Sequence, residues 1–193
     1  MKKITILTLA SLMTGTTIFT SCDDFLTKTP PTELTVEGYW SSELNAKAWL
    51  AGTYSELQTA LGQHYFLWGD ARADNFFPTT YETGGLTNNA LLSSGNYASW
   101  TNLYRVIGAC NIGIANVDKI SSGSAEKLAS YKGQWYGLRA FMYFYAIRVW
   151  GDVPLVVAPW DGNADTKYND RTAVSEIRKQ IESDIEVALS LLD

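Results

Sequence analysis

Apolar side chains recur at three- and four-residue intervals along most of this chain, and those intervals predict helices. Leu50, Tyr54, Leu57 and Leu61 form one stripe. Ser41-Ser42-Glu43 opens it, with serine oxygens and an early carboxylate to meet the free N–H groups of a helix start, and Gly62 closes it. Leu103, Ile107, Cys110 (or Asn111), Ile114 and Val117 predict a second helix within Trp100 to Ile120, broken at Ser121-Ser122-Gly123. Ser124 can cap the longest helix, which runs to about Val149. There Trp135, Leu138, Met142, Tyr145 and Val149 make a stripe, and Phe141, Phe144, Ile147 and Trp150 widen it around most of the circumference. A helix apolar nearly all round is a buried central element. Gly151-Asp152-Val153-Pro154 ends it. A last helix from near Thr172 sets Val174, Ile177, Ile181, Ile185, Ala188 and Leu192 on one side and Glu176, Lys179, Glu182 and Glu186 on the other, with Arg178 able to pair with Glu182.

Phe66 to Phe77 fits a helix or a short extended piece, whereas Pro78 to Asn96 and Pro159 to Asp170 carry turn chemistry. No strand alternation competes. The expected fold is all-α, built of antiparallel helix pairs over residues 39–193. The last helix still needs a cover for its apolar face at Asp193, so this helical domain is expected to be incomplete.

Ahead of the helices the pattern changes. Met1-Lys2-Lys3 is followed by an uncharged run from Ile4 to Phe19 and then Thr20-Ser21-Cys22-Asp23-Asp24. A basic start, a short apolar run and a small residue before a cysteine read as a bacterial lipoprotein signal, residues 1–21. Cleavage would leave Cys22 as an acylated N-terminus; each buried CH₂ of an acyl chain contributes roughly 0.8 kcal/mol to membrane attachment. Residues 22–38, stiffened by Thr29-Pro30-Pro31-Thr32, then read as a polar tether and lead-in loop.

A formal net charge of −5 argues against a nucleic-acid partner, which would require a basic face. With Cys22 acylated, Cys110 has no partner; its small, mostly apolar surroundings predict a buried, inert thiol. Aromatics are 13% of the chain, enough both to pack a core and to stack on pyranose faces. Asp70 and Asp74 would share one helix face, but a glycosidase pair must flank the scissile bond, so solvated or capping acids fit better. His64, the single histidine, reads as a surface or loop residue without the company a metal site or triad needs. Arg139, on the central helix, requires buried partners; Asp152 or a helix C-terminal carbonyl can supply them, which makes it a fold determinant. No catalytic residue, metal or cofactor is expected.

Five blocks occur in an order that carries a resemblance. They are Thr20 to Leu26; Tyr39-Trp40 with Ala51-Gly52-Thr53-Tyr54; Trp100 to Ile107 with Asn111; Leu138-Arg139-Ala140-Phe141-Met142-Tyr143-Phe144-Tyr145 with Trp150-Gly151-Asp152-Val153-Pro154-Leu155; and Asn169-Asp170-Arg171 leading into Ile181 to Ile185. Together they resemble the N-terminal part of the SusD-like (RagB-like) outer-membrane lipoproteins of Bacteroidetes. The resemblance implies TPR-like helix pairs; no consensus TPR signature is visible, so that architecture rests on the resemblance. It also implies a non-enzymatic surface protein that binds glycans, or sometimes peptides, and passes them to a SusC-like TonB-dependent transporter. The family's ligand loop matches Asp74 to Thr83. Tyr81 is then the first stacking candidate and Phe77 or Trp68 the second. Asp74 and Asn75 can hydrogen-bond hydroxyls, although Asp74 can equally cap a helix or turn. The tryptophan pair of the starch-binding member has no counterpart here, so starch itself is not singled out. The competing reading is a lipid-anchored structural or adhesion protein whose aromatic helices pack other subunits.

Overall fold

The serine signals at the helix starts are used as the sequence predicts. In the computed structural model, which describes residues 36–62, 64–73, 101–162 and 169–192, helix α1 (Val36–Tyr39) is followed by α2 (Glu43–Leu61). Next come α3 (His64–Trp68), a 3₁₀ turn (Asp70–Arg72), α4 (Thr101–Asn116) with a 3₁₀ turn (Val117–Lys119), and α5 (Ala125–Trp150). Two-residue strands β1 (Val153–Pro154) and β2 (Arg171–Thr172) precede α6 (Val174–Leu192). The chain divides into two units, Met1–Gly38 and Tyr39–Asp193, and the second holds the packed helices α2 to α6.

Ser42 Oγ accepts from the Asn45 N–H and Ser124 Oγ from the Lys127 N–H, each at 3.3 Å, capping α2 and α5. Glu43 ties the two starts together. Its carboxylate accepts from the Ser124 N–H at 2.9 Å and lies 3.2 Å from Lys127 Nζ, and these bonds, the backbone one first, lower its pKa. At the other end of α5, Gly151 turns the chain at φ +72°, a left-handed conformation that glycine adopts without steric cost.

The helices pack as antiparallel neighbours, and named contacts fix the register. Arg139 meets Asp184, and Gly133 lies against Ala188, Leu191 and Leu192, so α5 and α6 run in opposite directions. Arg139 also meets Asn111, while the Trp135 ring covers Gly113; α4 and α5 are therefore antiparallel too. A Cβ on Gly113 would sit 2.5 Å from the Trp135 ring, so only glycine permits this approach. Trp40, Trp49, Trp135 and Tyr39 then interlock edge to face at 5.5–6.1 Å between ring centres. Cys110 is buried as expected, and burial pushes its thiol up to about 12, which leaves it protonated and unreactive.

Several faces are rotated from the predicted ones. On α2 the inward residues are Ala46, Leu50, Thr53 and Ala60, whereas Tyr54 is exposed and donates from Oη to Gln134 Oε1. On α6 the inward residues are Ile177, Ile181, Asp184 and Ala188, and Ile185 is 45% exposed. Its polar face carries a Lys179–Glu176 pair in place of Arg178–Glu182. α5 packs on this helix through Gly133 at Ala188, Leu191 and Leu192, and Leu189 and Leu192 are exposed beside Ile185. Phe141 and Phe144 are also exposed, so α5 is not buried all round. The antiparallel β1–β2 pairing, Val153 with Thr172 and Pro154 with Arg171, escapes prediction because a two-residue ladder has no alternation to detect.

Arg139 is 3% exposed and Asp184 1%. Arg139 Nε and Nη2 donate to Asp184 Oδ2 and Oδ1 at 2.8 and 2.7 Å, and Nη1 donates to Asn111 Oδ1 at 2.7 Å and Val157 O at 3.0 Å. Asp184 Oδ1 also accepts from Gln180 Nε2 at 2.8 Å. Asp152, expected here, instead accepts the Val174 N–H at 3.0 Å and starts α6. Burial works against the guanidinium's charge, but Asp184 outweighs it and raises the pKa of Arg139. Removing one partner strands the other charge, so Arg139→Ala and Asp184→Ala are each expected to cost about 3–5 kcal/mol in urea unfolding. The double Arg139→Ala, Asp184→Ala variant should lose much less than the sum of the single losses; additive losses would show that the pair is not coupled.

Candidate ligand-binding site

α3 is only five residues long, and it is held by what it turns inward. Leu67 and, beyond the helix, Ala71 are buried, with Phe66 and Trp68 packed against them. This fixes Trp68 between other rings. The His64 imidazole stacks on it at 5.1 Å and 20°, Trp150 meets it edge-on at 5.4 Å, and Tyr145 lies 6.1 Å away. From the last turns of α5, Arg148 reaches over the Phe144 and Tyr145 rings at 5.1 and 5.9 Å.

A cavity of about 360 Å³ opens between these elements, lined by Tyr65, Trp68, Gly69, Asp70, Tyr145 and Arg148. Three aromatic side chains line it, with a carboxylate and a guanidinium beside them. Such a surface can stack on the C–H face of a sugar ring or an apolar side chain, with Asp70 accepting and Arg148 donating hydrogen bonds. Among the described residues no nucleophile–base pair lines it, and they hold no group of three or more His, Cys, Asp or Glu side chains placed to bind a metal ion.

Of the residues singled out from sequence, Trp68 lies in this cavity. Asp74, Asn75, Phe77 and Tyr81 fall outside the described residues, as does Cys22. Asp70 starts the 3₁₀ turn and is exposed. Tyr65, Tyr145 and Arg148 were not anticipated. Tyr145 fits the core stripe and is largely buried, so periodicity assigns it inward. The available signal was Arg148, a charge in the last turn of an otherwise apolar helix end. His64 is neither in a loop nor fully at the surface. It is half-buried in α3, and its Nδ1 is buried with no hydrogen-bond partner among the described residues.

A SusD-like protein family described as starch-binding and associating with the outer membrane matches residues 24–193. SusD-like protein P38 of Formosa agariphila is 35% identical over 176 residues, which cover 89% of this chain and 34% of that protein. Among solved structures, NanU of B. fragilis superposes with a TM-score of 0.70 at 25% identity, covering 86% of this chain and 34% of NanU. A SusD superfamily protein of Bacteroides fragilis gives 0.68 at 29% identity, covering 79% and 31%. The helix-pair architecture is thus that of SusD-like proteins, and the chain spans about a third of the length of the relatives it matches.

Burial lowers the pKa of His64 from its ordinary 6.5. The fold therefore favours the neutral ring. Its contribution to stability is complete above pH 6.5 and declines as pH falls from there toward the lower folded pKa. Because the chain has one histidine, a single imidazole resonance in an NMR titration reads this directly. The midpoint should lie below 6.5 and move back up in Trp68→Ala, which uncovers the ring; a midpoint at or above 6.5 in the unaltered chain would contradict the packing.

Proposed function

Because this chain belongs to the SusD-like family, we propose that it binds glycans at the bacterial surface and delivers them to a SusC-like TonB-dependent transporter. What carries the proposal is the family match over residues 24–193 together with a cavity lined by Tyr65, Trp68 and Tyr145, with Asp70 and Arg148 among them. A pyranose has apolar C–H faces and a polar rim, and this arrangement offers complements to both. Asp74, Asn75, Phe77 and Tyr81, which come shortly after Ala73 in the chain, are proposed to contact the ligand as well. Binding here involves no bond making or breaking. Peptides, which also present apolar and polar groups, are the alternative cargo.

In this proposal residues 1–21 are removed, lipidated Cys22 holds the protein on the outer membrane, and residues 22–38 space the helical domain from the bilayer. The described residues include no helix long and apolar enough to cross a membrane.

The full chain, purified in detergent, should bind at least one member of a panel of immobilised polysaccharides. Trp68→Ala should weaken that binding about tenfold with the fold intact by circular dichroism, since loss of a stacked ring removes roughly 1 kcal/mol or more. In cells, Cys22→Ala should shift the protein out of the outer-membrane fraction and abolish copurification of a TonB-dependent channel. Retention of the unlipidated variant at the membrane would remove the anchor from the proposal, and absence of any channel from the wild-type preparation would remove the handover.

A further inference from the structure

Two opposite charges line the Trp68 cavity and do not pair. Asp70 and Arg148 are both exposed, and among the described residues neither takes part in an ion pair or a side-chain hydrogen bond. Arg139 and Arg148 are nine residues apart on α5, half a revolution beyond two full turns at about 100° per residue. Arg148 therefore lies on the opposite side of the helix from Asn111 and Asp184, the side chains that take the donors of Arg139.

What Arg148 touches is aromatic: its guanidinium lies over the Phe144 and Tyr145 rings. A ring face attracts the cation without taking a hydrogen bond as a carbonyl or carboxylate would, so the donors remain for a ligand. The contact also orders a long side chain in advance, which lowers the entropic cost of binding. Both charges stand on described backbone, Arg148 in the last turn of a 26-residue helix and Asp70 on the 3₁₀ turn held by buried Ala71. Tyr65 meets Tyr145 at 6.2 Å between ring centres and is still 58% exposed, so it offers the cavity an open ring.

A neutral sugar uses this pair of charges only in part. Its hydroxyls donate well to Asp70, but a hydroxyl is a poor acceptor for a guanidinium beside a carboxylate, whose two oxygens match the N–H fork and whose charge strengthens each bond. Asp70, in turn, repels a ligand's carboxylate. The two residues thus select opposite ends of one molecule, an anionic end at Arg148 and a hydroxyl-bearing end at Asp70. A uronic acid has this layout: a carboxylate on one side of the ring, vicinal hydroxyls on the other, and a C–H face for Tyr65. We propose that the Trp68 cavity takes a carboxylated pyranose, with its carboxylate on Arg148 and its hydroxyls on Asp70. The inference rests on the proposed glycan-binding function and names the ligand class within it. Since the chain is acidic overall, with a formal net charge of −5, the attraction is local to Arg148 and is screened by salt.

The test sets the full chain, in detergent, against immobilised polymers that differ only at the carboxyl group: polygalacturonate with its methyl ester, and alginate with its propylene glycol ester. Laminarin and starch serve as neutral references. The wild-type chain should bind at least one acid about tenfold more tightly than its ester, with the preference shrinking as salt is raised. Arg148→Gln should erase the preference with an unchanged melting temperature, and Arg148→Lys, which keeps the charge without the fork, should retain part of it. Asp70→Asn removes the repelling charge and should widen the ratio of acid to ester binding. If acid and ester bind equally, or only neutral polymers bind, the carboxylated ligand is refuted and the glycan reading stands. Equal losses of acid and neutral binding in Arg148→Gln, or a ratio that narrows in Asp70→Asn, refute it too, because Arg148 would then not be reading a carboxylate. If the wild-type chain binds peptides and no polymer, or binds nothing, the proposal and the glycan reading beneath it fall together.

Discussion

A guanidinium held out of water between helices dictates how this protein is assembled. Burying Arg139 costs several kcal/mol of lost hydration, and only close, directional partners offset such a cost. Those partners come from three other places in the chain: Asn111 on α4, Asp184 on α6 and the Val157 carbonyl beyond β1. A hydrophobic contact tolerates sliding and rotation; a two-pronged Arg–carboxylate bond does not. The pair thus accounts for the rotation of α6, which points Asp184 inward and leaves Ile185 at the surface although isoleucine is the more apolar of the two. The long helix, whose apolar groups alone would allow many packing angles, is given one.

The aromatic residues divide into two populations with different constraints. Inner rings have their polar atoms answered inside the fold: Trp135 Nε1 donates to Thr53 Oγ1, Trp49 Nε1 to Ala109 O, and Tyr39 Oη to Asn45 O. They close the core. Outer rings, Tyr65, Phe141, Phe144 and Trp160, expose substantial surface. Trp68 and Tyr145 stand between, packed on one side and facing a cavity on the other. Composition could say only that aromatics were abundant; their allocation depends on which face of which helix each one occupies.

Helix limits were legible because caps are local chemistry. Ser42, Gly62, Ser124 and Gly151 act within a few bonds of themselves, and each was readable as a start or stop. Helix faces were less legible. A stripe drawn through apolar letters favours Tyr54 over Thr53 and Ile185 over Asp184, whereas the fold buries the polar residue in both cases because a distant side chain bonds it: Trp135 for Thr53 and Arg139 for Asp184. Partners 82 and 45 residues away leave no trace in a local period. The same holds for the cavity. Trp68 could be named through the resemblance, but Tyr145 carries a core signature, and Arg148 gains meaning only when α3 is brought against it.

The polar network and the Trp68 cavity share one helix, α5. Arg139 and Asn111 use some of their donors on backbone carbonyls of the segment leading to Trp160, so α6 and that segment are bonded to one guanidinium. On the far side of α5, Tyr145 and Arg148 depend on the same helix keeping its rotation. Under the proposed function, a protein that captures cargo and must also release it gains from this design. Shallow ring platforms give modest contact energy, and rigidity lets that energy be realised without an ordering cost, so binding can be selective without becoming slow to reverse. The stability of the core and the weakness of the surface are in this sense complementary: the first is concentrated in a few desolvated bonds so that the second can be left open to water.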